Sequence, residues 1–257
     1  MRLSLSGLLD RWLAPAADPR KVAWIGAHVF AHRGLHGQGI PENSPSGFAA
    51  AIARDMGIEL DVQCSADGEA MVFHDWELDR LTEEAGPVAT RTAAQLGAIR
   101  LKGGEDCIPT LPQVLDQIDG RVPLLIEIKS RAGTPYAPLC EAVLCAISGR
   151  FGDLAVMSFD PRVCRWFARR APRTARGLVM TEENDRPWLG ALRRHLWLWI
   201  ARPDFLAYDI RDLPSRFAAA QRVRGLPVPS WTVRSAQLRE RAARHADAPI
   251  AEGAGVS

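Results

Sequence analysis

The feature that most constrains the fold is a regular alternation of strand-like and helix-like segments. Short apolar runs such as "IELDVQC" (58–64) and "PLLIEIKS" (123–130) alternate with helical patterns such as "SPSGFAAAIARDM" (44–56), which begins after the expected N-cap Ser44. This alternation indicates a parallel sheet with right-handed crossovers. About eight strand–helix units in a chain of this length predict a (β/α)₈ TIM-type barrel.

The predicted domain organisation is a single barrel over residues 1–257. An irregular stretch at about 75–109 is expected to be an insertion after the second strand. The amphipathic pattern near residues 4–13 predicts an N-terminal helix that covers one end of the domain, with attachment to a membrane surface as the alternative. Gly57 is expected to stop the helix of residues 44–56.

Two strands carry charged residues where an apolar face is expected. Glu59 and Asp61 alternate with apolar residues in one strand, and Glu127 and Lys129 do so in another. In a barrel, these side chains would point inward at the mouth formed by the C-terminal ends of the strands. Buried carboxylates are costly unless a cation compensates them, and oxygen ligands suit Mg²⁺ or Ca²⁺. A buried ion-pair network is the alternative.

Two histidines and an arginine are expected at the same mouth. His32 and Arg33 end the first strand, and His74 ends the strand "AMVFHD" (70–75). Two histidines beside a carboxylate-bound cation are typical of an acid–base pair. Arg33 and Lys129 would supply positive charge for an anionic substrate, most simply a phosphate.

Composition excludes several other classes of function. The formal charge of +2, from 32 basic and 30 acidic residues, argues against nucleic-acid binding. The five cysteines are an odd number without C-x-x-C spacing, which predicts free thiols in a reducing compartment and no zinc site. No apolar run reaches the roughly 18 residues of a membrane span. The expected location is the cytoplasm.

Six motifs together resemble the glycerophosphodiester phosphodiesterase family. They match it in order and approximate spacing: "AHRG" (31–34), "PENS" (41–44), "IELDVQCSADGEAMVFHD" (58–75), "IPTLPQVL" (108–115), "LIEIK" (125–129) and "SWTV" (230–233). The resemblance implies a TIM-type barrel with a small insertion. It also implies metal-assisted hydrolysis of glycerophosphodiesters, which are small-molecule substrates, to glycerol 3-phosphate and an alcohol.

Carried over by position, the resemblance assigns a role to each motif residue. The metal ligands would be Glu59, Asp61 and Glu127, the acid–base pair would be His32 and His74, and Arg33, Lys129 and Trp231 would bind the phosphate or substrate. Glu42 and Asn43 are interpreted as residues that order their loop. Core packing is the alternative for Trp231, and orientation of a neighbour is the alternative for Asp75.

The chain departs from the family pattern in two strands. Arg234 stands where many members have asparagine, and the closing segment "APIAEGAGVS" (248–257) differs from the usual eighth strand. The Trp-rich helix of residues 187–200 is also unusual, and its residues Trp188, Leu192, Leu196 and Trp199 share one face. A buried face is expected there, with a weak membrane-surface contact as the alternative.

Two alternative functions remain open at this point. One is lysophospholipase D-like cleavage of a lysophospholipid at the same metal site. The other is a barrel that binds a phosphorylated ligand without turning it over.

Overall fold

The computed structural model describes residues 5–183 and 187–256. The strands within these residues are β1 (Phe30–His32), β2 (Gly57–Cys64), β3 (Ala70–Val72), β4 (Leu124–Ile128), β5 (Leu154–Ser158), β6 (Ala175–Met180), β7 (Phe205–Asp209), β8 (Pro229–Val233) and β9 (Ala248–Ala251). The α-helices are α1 (Leu5–Leu13), α2 (Pro19–Val22), α3 (Pro45–Ala53), α4 (Ala93–Gly97), α5 (Leu111–Ile118), α6 (Ala137–Ile147), α7 (Pro161–Arg170), α8 (Pro187–Ala201), α9 (Arg216–Val223) and α10 (Ala236–His245).

The chain divides into two compact units, of which one comprises residues 30–154. In it, β2 pairs in parallel with β1 on one side and β4 on the other. The short strand β3 turns back and pairs antiparallel with the C-terminal end of β2. Thr110 caps α5 with a capping box, and Ser44 caps α3 by accepting a hydrogen bond from the Gly47 amide. Both N-caps hold their helices at the start of a crossover.

The predicted insertion has a small core of its own. Residues 75–109 contain only α4 and a 3₁₀ turn at Val88–Thr90 as helical structure. Its apolar side chains, including Leu78, Leu96 and Leu101, form a buried cluster with Met71 and Phe73. The insertion is therefore held by burial rather than by regular structure.

The other unit comprises residues 1–29 and 155–257. Its strands β5, β6, β7, β8 and β9 pair in parallel in chain order. With β1, β2 and β4, the described residues contain eight parallel strands alternating with helices. The predicted (β/α)₈ TIM-type fold class is confirmed. The single-domain organisation stays a prediction.

Gly57 has a different role from the one predicted. The helix α3 already ends at Ala53, and Gly57 is the first residue of β2. A Cβ at residue 57 would lie 2.6 Å from Cδ1 of Phe30, which is paired with it across the sheet. Glycine is needed because the Phe30 ring fills the space that any side chain would occupy.

The helix α8 contradicts the predicted buried face. Trp188, Leu192 and Leu196 are exposed, and Trp199 is half-buried. The buried positions of the helix are Leu198 and others that lie on the opposite side. Helical spacing correctly grouped the apolar residues on one face, but that face points outward. None of the described helices is long and apolar enough to span a bilayer.

Candidate active site

Strand register brings three carboxylates and a histidine to one face of the sheet. Across the β1–β2 pair, His32 lies opposite Glu59. Across the β2–β4 pair, Asp61 lies opposite Glu127. Residues paired in register share a face, and so do residues two apart in one strand, so all four side chains point the same way. They cluster near the C-terminal ends of β1 and β4.

The three carboxylates form a tight buried cluster. One oxygen from each of Glu59, Asp61 and Glu127 lies within 4.8 Å of the others, and all three residues are buried. Burial, together with repulsion from the other two carboxylates, raises the pKa of Glu59 well above its ordinary value. Burial also raises the pKa of Glu127. Ionisation of all three carboxylates is therefore unfavourable unless further positive charge compensates them.

Lys129 and Arg33 compensate part of this charge. Nζ of Lys129 lies 3.1 Å from Oε1 of Glu127 and 3.3 Å from Oδ1 of Asp61. Nε of Arg33 lies 3.2 Å from Oδ2 of Asp61. Burial alone would raise the pKa of Asp61, but Lys129 and Arg33 lower it to about 2. Three carboxylates thus face two cations, one of which is also shared with Glu42.

The backbone is strained at the two loop residues that contact this cluster. Arg33 has φ 56° and Asn43 has φ 53°, both in the left-handed region that disfavours side chains. The Arg33 amide donates to Oε2 of Glu59 at 3.1 Å, and the Asn43 amide donates to the Arg33 carbonyl at 2.8 Å. These hydrogen bonds hold Arg33 and Asn43 in the left-handed conformation beside the carboxylates.

Asn43 acts on the site more directly than predicted. Its Nδ2 donates to Oδ2 of Asp61 at 3.1 Å, and its Oδ1 accepts from the Asp61 amide at 3.3 Å. The residue therefore orients a predicted metal ligand as well as ordering its own loop. Glu42 does order the loop, because its carboxylate binds both Arg33 and Arg80.

His74 is held by a chain of charged groups. Its Nδ1 lies 2.6 Å from Oδ1 of Asp75, and Nε of Arg80 donates to Oδ2 of Asp75 at 2.5 Å. Arg80 also donates to Glu42, at 2.7 Å. Burial lowers the pKa of His74, and Lys129 and Arg33 lower it further. The carboxylate at Nδ1 directs the other ring nitrogen, Nε2, away from Asp75.

Gln63 fixes the backbone on both sides of His74. It is buried, and its Nε2 donates to the carbonyls of Phe73 at 3.0 Å and Asp75 at 2.6 Å. Gln63 and Arg80 are the site residues that sequence reasoning missed. Gln63 shares the face of Glu59 and Asp61, which was a usable signal. Arg80 lies in the irregular insertion, where no periodicity marks it.

Trp231 and Arg234 lie in the unit of residues 1–29 and 155–257. The indole Nε1 of Trp231 donates to the Ala207 carbonyl at 3.0 Å, and its ring packs edge-on against Phe159. Nε of Arg234 lies 2.5 Å from Oε1 of Glu252. These contacts explain both residues locally, and the substrate-lining role of Trp231 stays a prediction.

Comparisons with known proteins show the family of this chain. The model of the glycerophosphoryl diester phosphodiesterase family matches residues 32–255. A glycerophosphodiester phosphodiesterase from Caldanaerobacter subterraneus is 32% identical over 175 residues, which are 64% of this chain and 71% of that protein.

Solved structures show the same fold. An Oleispira antarctica phosphodiesterase, solved with the product sn-glycerol-3-phosphate, matches with a TM-score of 0.77 at 21% identity and covers 90% of this chain and 94% of its own. The glycerophosphodiester phosphodiesterase of Thermotoga maritima matches with a TM-score of 0.69 at 25% identity, over 87% of this chain and 93% of its own. The chain is therefore an enzyme of the glycerophosphoryl diester phosphodiesterase family.

Proposed function

We propose that the chain hydrolyses glycerophosphodiesters to glycerol 3-phosphate and an alcohol at the cluster of Glu59, Asp61 and Glu127, with a bound Mg²⁺ or Ca²⁺. The observation that carries the proposal is the convergence of three buried carboxylates, two cations and two histidine-bearing segments within residues 30–154. This set matches the needs of phosphodiester cleavage, which are charge neutralisation, an oriented phosphate and two proton transfers.

The carboxylates fit a divalent cation by their chemistry. The three carboxylate oxygens lie close enough to bind one ion and suit the hard ions Mg²⁺ and Ca²⁺. This cluster of carboxylates offers zinc none of the nitrogen or sulfur ligands that it prefers. Burial raises the pKa of Glu59 and of Glu127, with repulsion from the neighbouring carboxylates adding to it, and a divalent cation would stabilise their ionised forms. When bound, such an ion supplies Lewis-acid stabilisation of charge that develops on a phosphoryl oxygen.

Arg33 and Lys129 would bind the remaining phosphate oxygens. Both are mostly buried, with side chains 17% and 13% exposed, and both already lie against Asp61. The buried setting strengthens their attraction for an anion and keeps them fixed, so that little reorganisation accompanies the reaction. Glu42 holds the Arg33 guanidinium from the other side and sets its orientation.

His32 and His74 would carry the two proton transfers. One would take the proton from the attacking oxygen, and the other would donate a proton to the leaving alkoxide. Asp75 orients His74 through Nδ1, which leaves Nε2 for the transfer, and Arg80 in turn fixes Asp75. His32 lies next to Glu59 by strand register, on the side of the cluster away from Glu127.

The test is turnover of glycerophosphocholine by the purified chain, followed through release of glycerol 3-phosphate. Chelator should abolish turnover, and Mg²⁺ or Ca²⁺ should restore it. Asp61→Asn should abolish turnover and weaken metal binding measured by calorimetry. Asp204→Asn removes another buried, ion-paired carboxylate and serves as the matched control, with turnover retained.

Incubation with lysophosphatidylcholine tests the lysophospholipid alternative, because phospholipase D-like cleavage would release choline and lysophosphatidic acid instead of glycerol 3-phosphate. Full turnover of glycerophosphocholine after metal removal would overturn the metal proposal. Turnover of lysophosphatidylcholine alone would overturn the substrate assignment.

A further inference from the structure

The helix α8 carries an apolar stripe on its outer side. Trp188, Leu192, Leu196 and Ile200 follow one another at intervals of four residues, and all four are exposed. Trp188 is 71% exposed and Leu192 is 56% exposed. Exposed apolar residues are ordinary when they are scattered, but a stripe along four turns of one helix is a contiguous surface.

The N-terminal helix α1 adds to this surface. It packs against α8 and exposes Leu8 and Trp12, of which Trp12 is 79% exposed. We call the surface formed by Leu8, Trp12, Trp188, Leu192, Leu196 and Ile200 the α1–α8 face. These six large apolar side chains are exposed, whereas Leu198 on the other side of α8 is buried.

Polar contacts hold α1 and α8 against each other. The buried carboxylate of Asp10 in α1 lies 2.8 Å from Nδ1 of His195 and accepts from Nε1 of Trp199 at 2.8 Å, and both partners belong to α8. Gln221 of α9 donates to the other oxygen of Asp10 at 2.8 Å. Rotating either helix to bury its apolar stripe would break these bonds and leave a buried charge without partners.

The charge around the face is positive. No acidic residue occurs in α8. Of its two arginines, Arg194 pairs with Glu182 at 3.1 Å, and Arg193 lies over the Trp197 ring. Arg165 and Arg169 belong to α7, which packs against α8, and Arg202 directly follows α8. Within residues 5–183 and 187–256, none of these last three arginines forms an ion pair with a carboxylate. An apolar face on α8, with these three arginines on the adjoining helix α7 and just after α8, matches an anionic surface.

We propose that the α1–α8 face docks the protein on the surface of a bilayer that contains anionic lipids. Tryptophan and leucine facing outward, with arginine beside them, is the composition of helices that lie in the membrane interface. A second copy of the chain is a poorer occupant, because it would bring a second arginine cluster against the first. The proposal concerns peripheral attachment and is independent of the substrate that the active site cleaves.

The test is co-sedimentation with vesicles. The full chain should bind vesicles of equal parts phosphatidylcholine and phosphatidylglycerol in 100 mM NaCl, bind pure phosphatidylcholine vesicles far more weakly, and lose affinity in 500 mM NaCl because salt screens the arginines. The double variant Arg169→Ser, Arg202→Ser should lower the partition coefficient by about fivefold per arginine removed.

Variants of the α1–α8 face separate specific docking from non-specific adsorption to vesicles. The double variant Leu192→Glu, Leu196→Glu should lower binding to anionic vesicles at least about tenfold, since it removes apolar contact and adds repulsion. Phe151→Glu is the matched control, because Phe151 is 93% exposed in a loop outside both helices, and this variant should bind like the wild type. Trp12→Ser gives a second, milder variant. The melting temperature of each variant shows whether it is folded.

Three results would overturn the proposal. The first is that the folded wild type does not bind the anionic vesicles at low salt. The second is that the face variants and Phe151→Glu bind equally well. The third is that sedimentation velocity shows a dimer which the glutamate variant converts to a monomer, while vesicle binding is absent, because the face would then join two copies of the chain.

Discussion

Replacing Gln63 with leucine is expected to slow the reaction by displacing His74, although Gln63 is not placed among the reacting groups. The Gln63 amide donates to the carbonyls of Phe73 and Asp75, which flank His74 in the chain. Without these two bonds, Asp75 still contacts Nδ1 of His74, but nothing from Gln63 fixes the backbone of the loop after β3. The imidazole would then sample positions away from the substrate.

The magnitudes follow from the environment of the two carbonyls. The bond to Phe73 is buried, so its loss leaves a buried acceptor without a donor at a cost of about 1–3 kcal/mol. The bond to Asp75 is only partly buried, and water can replace it at little cost. Leucine fills a similar volume, so the packing change is small. A displacement of about 1 Å in a catalytic group can cost about 10²-fold in rate, and we expect a loss in kcat of that order.

The assay compares kcat, KM and urea unfolding for Gln63→Leu and for Gln117→Leu. Gln117 is the matched control, because its Nε2 also donates to a backbone carbonyl, that of Pro45 at 2.7 Å, which belongs to α3 and not to the His74 segment. Both variants should lose stability, and only Gln63→Leu should lose kcat, with KM nearly unchanged. The double variant Gln63→Leu, His74→Ala should be no slower than His74→Ala, because the clamp acts through the histidine.

Two results would refute this reasoning. If Gln63→Leu loses stability but keeps kcat within twofold of wild type, the amide only supports the fold. If its effect multiplies with that of His74→Ala, Gln63 contributes to catalysis by a route other than His74.

Two further predictions concern the histidines and a buried acid. His32→Ala and His74→Ala should each lower kcat by about 10²–10⁴-fold with little change in melting temperature. A nitrophenyl phosphodiester has a leaving group that needs no proton, so it should restore turnover only in the variant that lacks the catalytic acid. Unfolding of both variants, or near-wild-type turnover, would contradict the assignment. Asp10→Asn should lower the free energy of unfolding at pH 7 by about 1.5–3 kcal/mol, because hydrogen bonds to a charged group are lost. Burial opposes ionisation of Asp10, but its bonds to His195, Gln221 and Trp199 hold the pKa below the ordinary 3.8. The difference in the free energy of unfolding between wild type and variant should therefore be full above pH 3.8 and shrink as the pH falls below it. Urea unfolding between pH 7 and pH 3 checks this, and an unchanged difference at pH 3 would count against it.

The acidic centre was predictable because it depends on strand periodicity. Alternation alone puts Glu59 and Asp61 on one face, and the parallel sheet brings Glu127 beside them. The roles of Gln63 and Arg80 were not predictable in this way. The contacts of Gln63 need the antiparallel register of β2 and β3, and those of Arg80 need the path of an irregular insertion. A single sequence specifies neither.

The errors also have definite physical causes. The Gly57 prediction failed because a glycine after a helix is a common stop signal, whereas the actual constraint is the distant Phe30 ring. The α8 prediction failed because periodicity shows which residues share a face but not which face points inward. That direction depends on distant contacts, such as the one between His195 and Asp10, which lie 185 residues apart in sequence.

The acidic centre buries charged residues and the α1–α8 face exposes apolar ones, which reverses the usual distribution. In both places, specific contacts maintain the arrangement although it does not stabilise the fold. At the centre, three carboxylates are buried where apolar residues would be more stable, and Arg33, Lys129 and Asn43 compensate them. In α8, apolar residues are exposed on a helix that is bonded to the buried carboxylate of Asp10 in α1. Chains adopt consistent local choices except where function demands otherwise, so such reversals indicate function when specific partners maintain them. Exposure of Leu192 by chance would not require the contacts that Asp10 makes to α8. In the same way, a carboxylate buried by chance would not require the bond that the Arg33 backbone amide donates to Glu59.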